Sequence, residues 1–183
     1  MSDISERYRK IAAQFTDRVD AVTADAWDNP SPCEGWVARD VVRHLTEWMP
    51  FMFFDGAGLE RPAIPSVDDD PRSAWAALDG AIQAVLDDPE TAGREFDMQL
   101  GRMSVESAVA SFGIGDVLIH TWDLARATGL DETLDPDEVH RMVGTMEPLE
   151  KPMRESGHFG PRVAVPDDAD EQTRLLAFTG RRV

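Results

Sequence analysis

Apolar residues recur every third or fourth position through four long stretches of this chain, the spacing that lays one stripe along an α-helix. In residues 4–22 the stripe is Tyr8, Ile11, Ala12, Phe15 and Val19. It stops before the loop DNPSPCEGW, whose prolines and glycine break regular structure. A second helix is predicted over residues 37–54, with Val41, His44, Leu45, Trp48 and Met52 on one face and a bend at Pro50. The Gly/Pro/Asp-rich stretch 55–70 reads as a long, flexible connection. The third helix opens with Pro71 in its first turn and stops before Pro89. Residues 94–103 alternate weakly and suit either an extended connection or a small hairpin. The fourth helix runs over residues 104–128 and is closed by Gly129. A fifth is predicted from Asp135 or Pro136 to about Leu149. The remainder is first extended, with Pro161 and Pro166, then helical over residues 170–178. No internal repeat is evident. Four long amphipathic helices with variable loops predict an all-α helical bundle in one domain spanning residues 1–183, with a tail, about 150–183, packed on it.

The inward stripe of the fourth helix is not wholly apolar. Val105, Val109, Phe112, Asp116, His120 and Asp123 share it, and an ionised aspartate facing a core needs compensation. A divalent metal is one such compensation, because an i, i+4 pair on a helix offers two ligands to one ion. His44, polar on the inward face of the second helix, is the third candidate ligand. Two imidazoles and a carboxylate leave coordination positions open, the pattern of a catalytic rather than a structural zinc-type site. Each residue also has a plainer role open to it. His44 suits a hydrogen-bonded core histidine and Asp116 a buried partner for an arginine.

Several neighbours invite a role. Asp123 could be a ligand, an acceptor for an imidazole N–H, or the partner of Arg126 or another arginine. Asp40, four before His44, could be an outer partner of the site, and also suits a first-turn acid interacting with its own helix N-terminus. Glu47 is a weak general-base candidate, and His158 a further ligand or proton relay. His140 reads as surface. Cys33 is read as structural, because some 10 Å of helix axis separates it from His44. Gly113 and Gly115 suit close helix packing, and FGIGD lacks the third glycine of a dinucleotide fingerprint. The tryptophans, Trp36 and Trp48 included, are expected in the core.

Composition narrows the partners. The chain has 183 residues, a formal net charge of -17 and 42% hydrophobic residues. That acidity repels nucleic acid and anionic membrane surfaces, and the apolar content is too high for a disordered chain. A single cysteine excludes an internal disulfide and any Cys-rich zinc module. The polar start MSDISERYRK lacks the apolar core of a signal peptide, and the greasiest run is broken at Pro50. A cytoplasmic protein, monomeric or homodimeric, is expected.

Three segments carry a resemblance: SPCEGWVARDVVRHL, GDVLIHTWDLARATG and FGPRVAVPDDADEQTRLLAFTG. Together they resemble the DinB-like metal-binding proteins related to the N-terminal domain of mycothiol-dependent maleylpyruvate isomerase. The resemblance implies a four-helix bundle with a long crossover and a short C-terminal helix. It also implies one divalent metal, held by a histidine of the second helix and an acid-or-histidine plus histidine pair of a later one. Matched by motif, these are His44, Asp116 and His120, with Asp116 standing where Glu or His is frequent. The chain is expected to end before the isomerase's second domain.

The ligand set suits zinc, with nickel, iron or manganese open. The resemblance further implies a low-molecular-weight thiol of the mycothiol type as co-substrate. The expected function is thus a metal- and thiol-dependent transferase or isomerase-like enzyme acting on a small electrophilic substrate. The alternatives are a non-catalytic metal or small-ligand binding protein and a metal-dependent hydrolase.

Overall fold

The computed structural model describes residues 2–98, 101–146, 150–151 and 161–183. It is mostly helical, with one small two-stranded sheet. Helix α1, Asp3–Ala21, is capped by the Ser2 hydroxyl, which accepts from the Ser5 amide. Its buried face contains Tyr8, Ile11, Ala12, Phe15 and Val19, the stripe expected from spacing. Helix α2, Ala38–Pro50, starts with Asp40 accepting from the Val37 amide at 2.9 Å, the first-turn role expected of that acid. The backbone keeps helical angles through Pro50 and Phe51. With no N–H of its own to continue the ladder, Pro50 is followed by a widened π turn, Phe51–Asp55, in which the Gly56 amide donates to the Phe51 carbonyl.

The connection to helix α3, Pro71–Asp87, has little regular structure but is tied down. Val67 is buried, Arg43 pairs with Asp68, and Arg39 donates to the Asp68 carbonyl at 3.3 Å. Asp70 caps α3 by accepting from the amides of Arg72 and Ser73, with Pro71 at the first position. A single turn, α4 (Pro89–Ala92), leads into a hairpin of β1 (Glu95–Met98) and β2 (Gly101–Ser104), paired antiparallel with Glu95 opposite Ser104. The weak alternation of this stretch therefore belongs to a hairpin.

The predicted fourth helix forms in three parts: α5 (Val105–Ala108), a π turn (Val109–Gly113) and α6 (Ile114–Thr128). Gly129, at φ 71°, closes it in the left-handed conformation, and the Leu130 amide returns to the Ala125 carbonyl. Helix α7, Pro136–Met146, begins where expected, and its predicted end near residue 149 lies outside the described residues. Helix α8, Glu171–Phe178, buries Leu175, Leu176, Ala177 and Phe178.

Helix α1 packs on α3 and α6, and α2 packs on the same two. One apolar cluster joins them, with Trp75, Phe15, Leu45, Leu78 and Leu118 at its centre. No helix among the described residues is long and apolar enough to cross a membrane.

The two π turns meet. A Cβ on Gly113 would stand 3.2 Å from the Phe53 ring and 3.4 Å from Val109. Gly115 similarly faces Met142, so both glycines serve helix packing. Gly113→Val is expected to destabilise the fold by about 1–3 kcal/mol through overpacking, as measured by urea denaturation.

Candidate metal centre

The Phe53–Gly113 contact sets the relation of the two site helices. Residues beyond the end of α2 meet residues before the start of α6, so the helices run antiparallel and later positions on one lie level with earlier positions on the other. His44 and Trp48 thereby come level with Asp116. His44 Nε2 lies 3.1 Å from Asp116 Oδ2, and Trp48 Nε1 donates to the same oxygen at 2.9 Å. One turn along α6, His120 Nε2 stands 3.4 Å from Asp116 Oδ1. The structure thus brings His44, Asp116 and His120 together, with one ligand atom from each within 4.8 Å of the others.

These residues fit a divalent ion. Tetrahedral zinc bonds of 2.0–2.1 Å put neighbouring ligand atoms about 3.3 Å apart, close to both N···O separations here. The outer contacts fit as well. His120 Nδ1 donates to Asp123 Oδ2 at 2.8 Å, leaving Nε2 turned toward Asp116, and a carboxylate behind a ligating imidazole is the common way to fix its tautomer. The side chains of His44 and Asp116 remain 33% and 28% exposed against 6% for His120, so solvent reaches the centre from the side of the first two.

Asp123 is therefore the imidazole acceptor among the roles open to it. It is fully buried and also receives Arg181, whose Nε reaches Oδ1 at 3.1 Å and whose Nη2 reaches Oδ2 at 2.7 Å. Arg126 turns instead to Glu132 and lies over the Trp122 ring.

Cys33 corrects the sequence reading. Its Sγ lies 3.4 Å from Asp123 Oδ2 and 3.7 Å from Arg181 Nη2, and it forms a second group with His120 and Asp123. Distance along α2 was the wrong measure, because antiparallel α6 carries Asp123 toward the loop that precedes α2. That loop is folded tightly: the Ser31 amide donates to the Trp36 carbonyl, the Trp36 amide to the Cys33 carbonyl, and Gly35 turns at φ 79°.

Trp36 and Trp48 do more than fill a core. Trp36 is only partly buried, and its ring lies 5.2 Å from that of His44 and 5.9 Å from that of His120, nearly parallel to the latter. Trp48 shares the periodic inward face of His44, whereas Trp36, in the loop before α2, carried no periodicity signal. Glu47 is exposed, away from the inward face. His140 is exposed and pairs with Glu171, as a surface histidine would. His158 lies outside the described residues.

Residues 8–125, more than half the chain, match the family described as the mycothiol maleylpyruvate isomerase N-terminal domain. The chain belongs to this DinB-like family. The match takes in Cys33, Trp36, His44, Trp48, Asp116, His120 and Asp123, and leaves Arg181 outside. Two curated proteins of Mycobacterium tuberculosis are similar to this family member over most of its length. The uncharacterized protein MT0763 of strain CDC 1551 / Oshkosh is 28% identical over 171 residues, covering 88% of either chain. The uncharacterized protein Rv0738 of strain ATCC 25618 / H37Rv matches with the same identity and coverage. No solved structure matches significantly.

The charges of the metal-free centre are strongly coupled. Burial alone would lower the His120 pKa, but the carboxylates of Asp116 and Asp123, with Cys33 beside them, raise it from 6.5 to about 10. Asp123 is held well below the usual carboxylate range: burial opposes this, and His120 and Arg181 outweigh burial. Asp116 is lowered in the same way by His120, His44 and Trp48. A histidine pKa raised on folding adds stability that is fully present below 6.5 and is lost as pH rises through about 10. Metal-free protein is therefore expected to melt at falling temperatures from pH 7 to pH 10, and His120→Gln to flatten that fall. Calorimetry across this range checks both.

Proposed function

We propose that the chain is a single-domain DinB-like four-helix bundle with a long crossover, in which His44, Asp116 and His120 hold one divalent cation, most suitably zinc. The bundle would consist of α1, α2, α3 and the rod from α5 through α6, and residues 55–70 would be the crossover. Its activity is thiol-dependent, of the transferase or isomerase-like kind, on small electrophiles. The observation that carries this reading is the convergence of two imidazoles and one carboxylate, with the far nitrogen of His120 already committed to Asp123.

Mycothiol enters through the description of the family. When bound, such an ion supplies Lewis acidity that favours thiolate over thiol at neutral pH. The protein's own residues do the rest. Trp48 holds the Asp116 carboxylate in place through its indole N–H. Asp123 keeps the His120 ring turned so that Nε2 faces the centre. Trp36 covers the imidazole rings and presents a flat apolar wall to an incoming carbon skeleton. The thiol and the electrophile would arrive from the side where His44 and Asp116 are exposed. The sulfur would add to the electrophilic carbon as that carbon's π pair shifts to the neighbouring atom, the thiol proton passing to solvent and a solvent proton completing the adduct.

Elemental analysis of purified protein beside His44→Ala, Asp116→Ala and His120→Ala tests the centre. Each substitution is expected to abolish stoichiometric metal, and three intact stoichiometries would refute the assignment. Zinc-loaded protein should consume mycothiol in the presence of an electrophile, and His120→Ala should not. Turnover without any thiol would instead mark a hydrolase. Unchanged thiol with a large loss of stability on chelation would mark a non-catalytic metal-binding protein.

A further inference from the structure

The last turn of the chain reaches into the centre. Helix α8 ends at Phe178, and Gly180, at φ 91°, reverses the backbone so that the Arg181 amide donates to the Leu176 carbonyl and the Gly180 amide to that of Ala177. Buried Leu175, Leu176 and Phe178 fix α8 against the core, and the turn then aims Arg181 inward. Its guanidinium takes both oxygens of Asp123 and is braced by donating from Nη1 to the Thr179 carbonyl at 3.2 Å. A carboxylate gripped at both oxygens by a planar fork cannot rotate. The Oδ2 edge that meets His120 Nδ1 is thereby fixed.

We infer that Arg181 is a positioning residue for the metal centre, acting through Asp123 on the orientation and tautomer of His120. The C-terminal segment, 58 positions from Asp123 and outside the stretch that matches the family, completes the centre. Cys33 touches both Asp123 and Arg181 and so borders this relay. The inference rests on the proposed metal reading.

The test is zinc affinity, measured against a competing chelator, together with the His120 tautomer in the zinc-loaded protein by nitrogen NMR. Arg181→Ala is expected to weaken zinc about 10- to 100-fold, as loss of an outer partner typically does. Arg181→Lys, which keeps the charge and loses the fork, should fall between. The Arg181→Ala/Asp123→Asn double variant should bind zinc nearly as Asp123→Asn alone does, because Arg181 meets His120 chiefly through that carboxylate. The single variants should also lose the uniform Nδ1–H tautomer of His120. Should Arg181→Ala prove too unstable to purify, the Arg181→Lys affinity and tautomer carry the same test. Arg181 variants that melt earlier yet keep wild-type affinity and tautomer would reduce Arg181 to a structural tether and overturn the inference. A wild-type chain that takes up no zinc would overturn the metal reading, and this inference with it.

Discussion

Two aspartates on the inward face of α6 have to be compensated for this protein to fold as it does. Carboxylates facing a core are costly to desolvate, and each here is surrounded by donors. Asp116 receives Trp48 and stands between the imidazoles of His44 and His120. Asp123 receives His120, the fork of Arg181 and the Cys33 thiol. His120 lies between the two acids and couples them. The polar line along α6 is thus a continuous network inside an otherwise apolar cluster. Removing Asp123 would leave the largely buried His120 and Arg181 without their shared acceptor.

That network needs α2 and α6 side by side and antiparallel. The paired π turns contribute to this, with the ring of Phe53 seated where Gly113 has no side chain. From that contact the levels follow in order: Trp48 and His44 beside Asp116, then His120, then Asp123 beside the loop that carries Cys33. Packing and chemistry are therefore linked. A shift of one helix along the other by one turn would move His44 and Trp48 about 5.4 Å from Asp116, leaving that acid with His120 alone.

Much of this was legible from residue order. Helix starts and stops followed signals that sequence displays, such as Pro71 in the first turn of α3 and Gly129 after Thr128. The inward polar stripe on α6 was visible as a conflict between helical periodicity and residue type. His44 was legible by the same conflict on α2. The π turns were not, because Pro50 and the glycines around residue 113 announce an interruption without saying how the backbone absorbs it. Cys33, Trp36 and Arg181 were invisible as site residues. They come from loops and a chain end, where no periodicity encodes direction.

The sequence alone therefore determined the helices, their buried faces and which polar side chains would be carried inward, because these depend on local spacing and capping. Tertiary structure alone decided which of those side chains meet. The antiparallel register of α2 against α6 places the loop before α2 beside Asp123, and the turn after α8 delivers Arg181 to the same carboxylate. Contacts of that kind join residues 58 to 90 positions apart, and only packing of the whole chain fixes them.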